Sequence, residues 1–341
     1  MAKKTSLKDI AQEVGVSTAL VSYVLNNKKE NKISKQIAQK IRAVAKALNY
    51  RPNQIAKSLK TSRTFTLGLV VADISNPFSS SLTRIIEDEA DQQQYTVLVG
   101  SSDENPQKAR KLIETLLNRQ VDGLLIVPTE GMETQLADLQ KQGVPFVLVD
   151  RYFPELKTSY VALDNDGAIR KAVQHLVDSG YRRIGMITFQ TPLFTINERK
   201  RGYLATLKEN NIPFAKSWLK EIRRATYKAD IDKAVRALIT GKNPVDAILF
   251  ASNTLALHGL KPIKALQKRV PDEVAIVTLD QADAYDLFHT PVTYIRQPLQ
   301  EMGQLATKIL LENIGRNNTV TQTNLAGELV IRDSTQPRSG R

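Results

Sequence analysis

Residues 7–27 read LKDIAQEVGVSTALVSYVLNN, and the order of residue types in this stretch decides the N-terminal fold. Leu7, Ile10, Ala11 and Val14 fall at i, i+3, i+4 and i+7, the spacing of one apolar helix face. Ser6, followed three residues later by Asp9, resembles a capping box with Asp in place of the usual Glu. Gly15 comes next and can end that helix in a left-handed turn. Ser17 is a good N-cap for a second helix running to about Leu25, with Val21, Val24 and Leu25 inward. Ser34 caps a third, on which Ile37, Ile41, Val44, Ala45 and Leu48 form one apolar stripe. Two short helices joined by a tight glycine turn, with a third behind them, predict a helix-turn-helix domain.

Charge supports a polyanionic partner for this domain. The chain of 341 residues carries a net charge of +13, and residues 1–63 hold 14 Lys and Arg against 3 Asp and Glu, the rest 34 against 32. A basic head on a near-neutral body suits nucleic-acid binding. A three-helix protein-interaction domain would share the apolar pattern but has no need of the charge. The second helix of such a head enters the major groove N-terminus first. Its exposed positions are Thr18 and Ala19, then Ser22 and Tyr23, residue types that reach base edges, phosphates or a thymine methyl.

The same stretch, continued by ISKQIAQKIRAVAKALNYRPNQIAKSLKTSRT (33–64), resembles the headpiece of the Lac repressor/galactose repressor family. The resemblance implies a DNA-contacting set of Ser6, Ser17, Thr18, Ala19, Ser22, Tyr23 and Asn26. It further implies that residues 52–63 form a hinge that orders on operator DNA. There Leu59 would pry a base step apart from the minor groove, with Asn53, Ala56 and Lys57 beside it. A plain interdomain tether is the alternative reading of this segment. Two departures stand out: Tyr23 replaces the family's usual Arg, and Ile37-Ala38 replaces a Thr-Arg pair. A phenol cannot copy a bidentate Arg–guanine contact, so the base preference at Tyr23 should differ.

From residue 64 to 341 the texture is strand–helix alternation. Apolar runs at 66–72, 95–99, 123–127 and 146–149 alternate with helical stretches near 79–93, 106–119 and 133–142. A second series has strands near 183–188, 247–250 and 274–278, with helices near 166–179, 197–210, 228–240 and 255–268. Two such series predict two α/β lobes with parallel sheets and a ligand cleft at the strand C-terminal ends. VADISNPF (71–78), VDGLLIVP (121–128), HLVDSGYRRIGMI (175–187), ERKRGY (198–203) and YIRQP (294–298) extend the resemblance to the type I periplasmic-binding-protein-like sensor of the same family. The expected architecture is therefore an all-α helix-turn-helix headpiece (1–51), a hinge (52–63) and a two-lobed effector-binding and dimerisation domain (64–341). By that resemblance the effector-binding set is Asp73, Phe78, Asp166, Arg199, Asn253, Asp280 and Gln297, groups suited to a polyhydroxyl ligand. Thr254 stands where the family commonly has Asp.

Other functions find little support. Cysteine is absent and the three histidines (His175, His258, His289) have no ligand spacing, so neither disulfides, a metal nor another cofactor is expected. There is no Walker A sequence, no GxGxxG after a strand and no GxSxG elbow, so an enzyme is not expected. No apolar run approaches the ~18–20 residues of a membrane span, and the Met-Ala-Lys-Lys start has no apolar core, which favours a cytoplasmic protein over an exported solute-binding one. The segment after residue 331 has no leucine heptads, so a homodimer is expected and not a tetramer. The reading is a DNA-binding transcription regulator, most often a repressor in this family. Its expected partners are double-stranded operator DNA, a carbohydrate-like effector and a second copy of itself, with no membrane.

Overall fold

The computed structural model describes residues 5–27, 32–50, 63–315 and 319–337, and the chain divides into two compact units, residues 1–64 and 65–341. In the first, α1 (Leu7–Val14), α2 (Thr18–Leu25) and α3 (Lys35–Ala47) surround a core of Ile10, Ala11, Val14, Val21, Val24, Ile41 and Ala45. The capping box forms: Asp9 N–H donates to Ser6 Oγ at 3.3 Å and Ser6 N–H to Asp9 Oδ2 at 2.7 Å. Gly15 takes φ 79°, a left-handed conformation that costs glycine little, and its N–H closes α1 on Ala11 O at 2.9 Å. Ser17 Oγ accepts from Leu20 N–H at 3.2 Å and starts α2. Ser34 precedes α3 without a side-chain cap bond. The stripe on α3 is narrower than its sequence suggests, since Ile37 and Leu48 are 38% and 37% exposed. Two partner helices of eight residues cover only about two turns of a longer helix.

The second unit consists of two α/β lobes. Lobe 1 runs β1 (Thr66–Val71), α4 (Pro77–Gln92), β2 (Thr96–Ser101), α5 (Pro106–Asn118), β3 (Gly123–Ile126), α6 (Glu133–Lys141), β4 (Phe146–Val149) and β5 (Tyr160–Leu163). Lobe 2 follows with α7 (Asn165–Asp178), β6 (Ile184–Phe189), α8 (Phe194–Glu209), β7 (Leu219–Ile222), α9 (Tyr227–Thr240), β8 (Ala247–Phe250), α10 (Asn253–Ala265), β9 (Ala275–Leu279) and β10 (Thr293–Arg296). The chain then returns to lobe 1 as α11 (Leu299–Asn313), whose Met302, Ala306 and Leu310 pack in that lobe's core with Leu67 and Ile86. β11 (Gln322–Leu325) joins the first sheet and β12 (Glu328–Val330) the second.

The sheets have orders β11-β5-β4-β3-β1-β2 and β12-β10-β9-β8-β6-β7, parallel throughout except for the antiparallel β10–β12 pair. Strands buried on both faces read as unbroken apolar runs, which is why β3, β4, β6, β8 and β9 were legible. The polar edge strands β7 (LKEI) and β11 (QTNL) were not. The chain passes between the lobes at 163–165, 296–299 and 325–328, so the lobes share three adjacent connections.

Candidate functional site

The order β4-β3-β1-β2 in lobe 1 recurs as β9-β8-β6-β7 in lobe 2, so residues just past corresponding strands occupy equivalent places. Between the lobes lies a cavity of about 510 Å³ lined mainly from these strand ends. Asp73 follows β1, Glu104 follows β2, Asp150 follows β4, Arg224 follows β7, Asn253 follows β8, Asp280 follows β9 and Gln297 follows β10. A crevice at the carboxyl ends of parallel strands is the general ligand site of open α/β sheets.

Asp150 and Asp280 are the equivalent pair at the ends of β4 and β9. Both are buried, at 6% and 8% exposure, and both hold left-handed backbone, φ 67° and 71°. Such conformations in non-glycine residues gather at functional sites. Asp280 Oδ1 accepts from Gln297 Nε2 at 2.6 Å. Asp150 Oδ1 and Gln297 Oε1 are buried with no hydrogen-bond partner among the described residues. Burial raises the Asp150 carboxyl above its ordinary value although Arg151 and Arg199 attract it.

Arg199, on α8, is 5% exposed and donates from Nε to Asn165 Oδ1 at 2.7 Å and from Nη1 to Ala251 O at 2.8 Å. Burial lowers its guanidinium, offset in part by Asp280 and Asp150. Arg151 grips Glu104 end-on, Nη1 to Oε2 at 2.8 Å and Nη2 to Oε1 at 2.9 Å, while its Nε lies 3.4 Å from Asp150 Oδ2. Burial alone would raise the Glu104 carboxyl; Arg151, then Arg224, hold it below its ordinary value.

Contacts also cross the cleft. Asn253 Nδ2 donates to Asn76 Oδ1 at 2.8 Å, Arg224 Nη1 lies 3.1 Å from Glu104 Oε1, and Thr191 Oγ1 donates to Glu130 Oε2 at 3.0 Å.

The structure brings six of the seven expected cleft residues to this cavity: Asp73, Phe78, Arg199, Asn253, Asp280 and Gln297. Asp166 is not among the lining residues. Its carboxylate instead joins Arg170 Nε at 2.6 Å and Arg201 Nε at 3.0 Å, tying α7 to α8. As a first-turn acid on α7 it is spent on helix pairing. Asn253 bridges the lobes through Asn76, and Asp73 Oδ1 accepts from Ser75 N–H and Oγ at the rim. Missed by sequence reading were Asn76, Glu104, Asp150, Arg151, Phe189, Arg224 and Tyr227. For Asp150 a signal existed: FVLVD (146–150) repeats the strand-then-Asp pattern of AIVTLD (275–280).

In the head, Thr18, Ala19 and Asn26 are exposed, and Ser22 and Tyr23 half-buried, on the side of α2 away from Val21 and Val24. Asn26 Nδ2 donates to Ser22 O at 2.7 Å, so these two polar residues hold each other on that face. Ser6 and Ser17 are exposed with their Oγ atoms engaged as caps. Asn53, Ala56, Lys57 and Leu59 lie outside the described residues.

Residues 6–53 match the profile of bacterial regulatory proteins, lacI family, and residues 173–335 that of the periplasmic binding protein-like domain. The chain is 33% identical over 313 residues to the "Probable HTH-type transcriptional regulator EndR" of Paenibacillus polymyxa, covering 91% of each. It is 30% identical to the catabolite control protein A of Priestia megaterium, covering 91% of this chain and 93% of that one. Among solved structures it resembles a transcriptional regulator CelR–cellobiose complex (26% identity, TM-score 0.72, 97% of this chain and all of that one). It also shares its fold with the Lac repressor dimer bound to operator (22% identity, TM-score 0.85, 98% of this chain and all of that one).

Proposed function

Because the chain belongs to the lacI family of bacterial regulatory proteins and is a DNA-binding transcriptional regulator, we propose that it represses from a two-half-site operator under the control of a small polyhydroxyl effector held between its lobes. The observation that carries the effector reading is the cavity itself. Buried acceptors without partners, Asp150 Oδ1 and Gln297 Oε1, sit beside the charged Asp280 and Arg199 in a space of about 510 Å³. A buried acceptor left unpaired is costly, and a ligand rich in hydroxyl donors satisfies it. That size suits a small saccharide or derivative. The cellobiose complex of a relative agrees with that class.

The DNA-facing set is the exposed side of α2 (Thr18, Ala19, Ser22, Tyr23 and Asn26) with Ser6 and Ser17 at the helix starts. The hinge contacts at Asn53, Ala56, Lys57 and Leu59 rest on sequence alone. A second copy supplies the second half-site, so the working form is a homodimer acting on chromosomal DNA in the cytoplasm. No catalytic role is assigned, in keeping with relatives named as regulators.

The test is an operator recovered by selection from random duplexes, then titrated with full-length protein in the presence of candidate sugars. A symmetric site whose occupancy changes with one sugar, and no longer changes in Asp280→Ala, supports the reading. An asymmetric site, or a sugar response that Asp280→Ala leaves intact, overturns it.

A further inference from the structure

The cavity has two chemically distinct ends. At one, the groups without partners are acceptors, Asp150 Oδ1 and Gln297 Oε1. At the other stands Arg224, which follows β7 as Glu104 follows β2. Its guanidinium lies over the Phe189 ring, 4.1 Å from the centroid, and Tyr227 packs edge-on against that ring at 6.1 Å. Stacking of this kind fixes the plane of the guanidinium and leaves its N–H edges free to bond. Arg224 makes no hydrogen bond among the described residues; its one ionic contact is Nη1 to Glu104 Oε1 at 3.1 Å. Both oxygens of that carboxylate are already taken by Arg151, at 2.8 and 2.9 Å. Arg224 therefore shares its carboxylate partner with a second arginine, and its 38% exposed side chain faces the cavity.

We propose that the effector is a polyhydroxyl acid, its hydroxyls received at the Asp150–Gln297–Asp280 end and its carboxylate or phosphate by the stacked fork of Arg224. This rests on the carbohydrate reading of the cleft and narrows it. A planar fork with unused donors matches two coplanar acceptor oxygens, which a carboxylate or phosphate presents and a single hydroxyl does not. The unpaired acceptors take hydroxyl donors and Arg224 takes the acid, so the two ends orient the ligand in one direction. An acid on Arg224 also sits on the cross-cleft pair with Glu104, where it joins lobe 2 to lobe 1 through the Arg224–Glu104–Arg151 chain.

Calorimetric titration of the full-length protein with matched triplets tests this: glucose, gluconate and glucose 6-phosphate; galactose, galacturonate and galactose 6-phosphate; ribose, ribonate and ribose 5-phosphate. All are compared at one ionic strength, with inorganic phosphate as the bare anion. In at least one triplet an acid should bind about tenfold or more tighter than its neutral parent. Arg224→Gln should shrink that ratio to within about threefold, and Arg224→Lys, which keeps charge but loses the fork, should fall between. Asp280→Ala should weaken acid and parent together. The inference is overturned if the neutral sugar binds as tightly as both acids, if the acid preference survives in Arg224→Gln, or if inorganic phosphate binds as tightly as the acid. If no triplet binds, or binding ignores Asp280→Ala, the carbohydrate reading itself falls, and the inference with it.

Discussion

Asp150 shows how a cavity-lining side chain can work against the fold that holds it. Burial raises its carboxyl above the ordinary 3.8, with Arg151 and Arg199 compensating only in part. A carboxyl raised on folding contributes fully below its unfolded value, and stability is lost as pH rises through the folded value. Asp150→Asn should therefore raise the melting temperature of the larger unit at pH 7 and lose that advantage as pH drops below about 3.8. Scanning calorimetry at both pH values checks this; an Asn variant less stable than wild type at pH 7 refutes it. Arg199 is the opposite case, because the fold needs it. Arg199→Ala strands Asn165 Oδ1 and Ala251 O, so it should cost on the order of 1–3 kcal/mol of stability per stranded partner. A melting temperature equal to wild type would show that these bonds carry no such weight. The family resemblance pointed to Arg199 as a ligand contact; only the fold shows that two of its nitrogens are already engaged.

Two elements, α7 and α8, owe their close approach to one missing side chain. A Cβ on Gly202 would stand 2.6 Å from Asp166 O, backbone that cannot yield cheaply. Asp166, bonded to Arg170 on its own helix and Arg201 on the other, holds the pair from the side. Gly202→Ala should destabilise the larger unit by about 1–3 kcal/mol and weaken the effector as well, since Arg199 rides on α8. Unchanged thermal stability would contradict this account of the ERKRGY motif. In the head, α1 and α2 were legible because their caps and periods are local. Ile41 is fully buried against both. Ile41→Ala should remove about 2–5 kcal/mol, much of what so small a unit has, and abolish operator binding. Effector titration of the same variant should match wild type; loss of both functions would show that the head is not independent.

For the molecule as a whole, charge is divided as labour is. With 14 Lys and Arg against 3 Asp and Glu in residues 1–63 and near balance beyond, operator affinity should fall steeply and linearly on a log–log plot against salt. A flat dependence would remove the head from DNA recognition. Effector affinity, set inside the cleft, should change far less over the same range. Three chain crossings join the lobes, and side-chain contacts among the described residues span the cleft, Asn76–Asn253, Asn76–Thr254, Glu104–Arg224 and Glu130–Thr191 among them. A ligand that strengthens or breaks those contacts should shift the lobes relative to each other.

Short-range physics makes the local features legible from residue order alone. The capping box at Ser6 and Asp9, the left-handed Gly15, the exposed side of α2 and the buried strands β1, β3, β4, β6, β8 and β9 follow from residues within a few positions of one another. So does the basic head, which is a matter of counting. Which side chains meet is set by packing across the whole fold. Asp150 and Glu104 reach the cavity because β4 and β2 end there, and Arg224 because β7 ends opposite Glu104. Asp166 misses it because α7 presents that residue to α8. β7 (LKEI) and β11 (QTNL) were not legible because polar residues interrupt any apolar run there, and nothing local says to which lobe α11 returns. Pairings such as Asn76 with Asn253 and Glu104 with Arg224 are set by the strand order of the two sheets, and that order is a property of the packed chain.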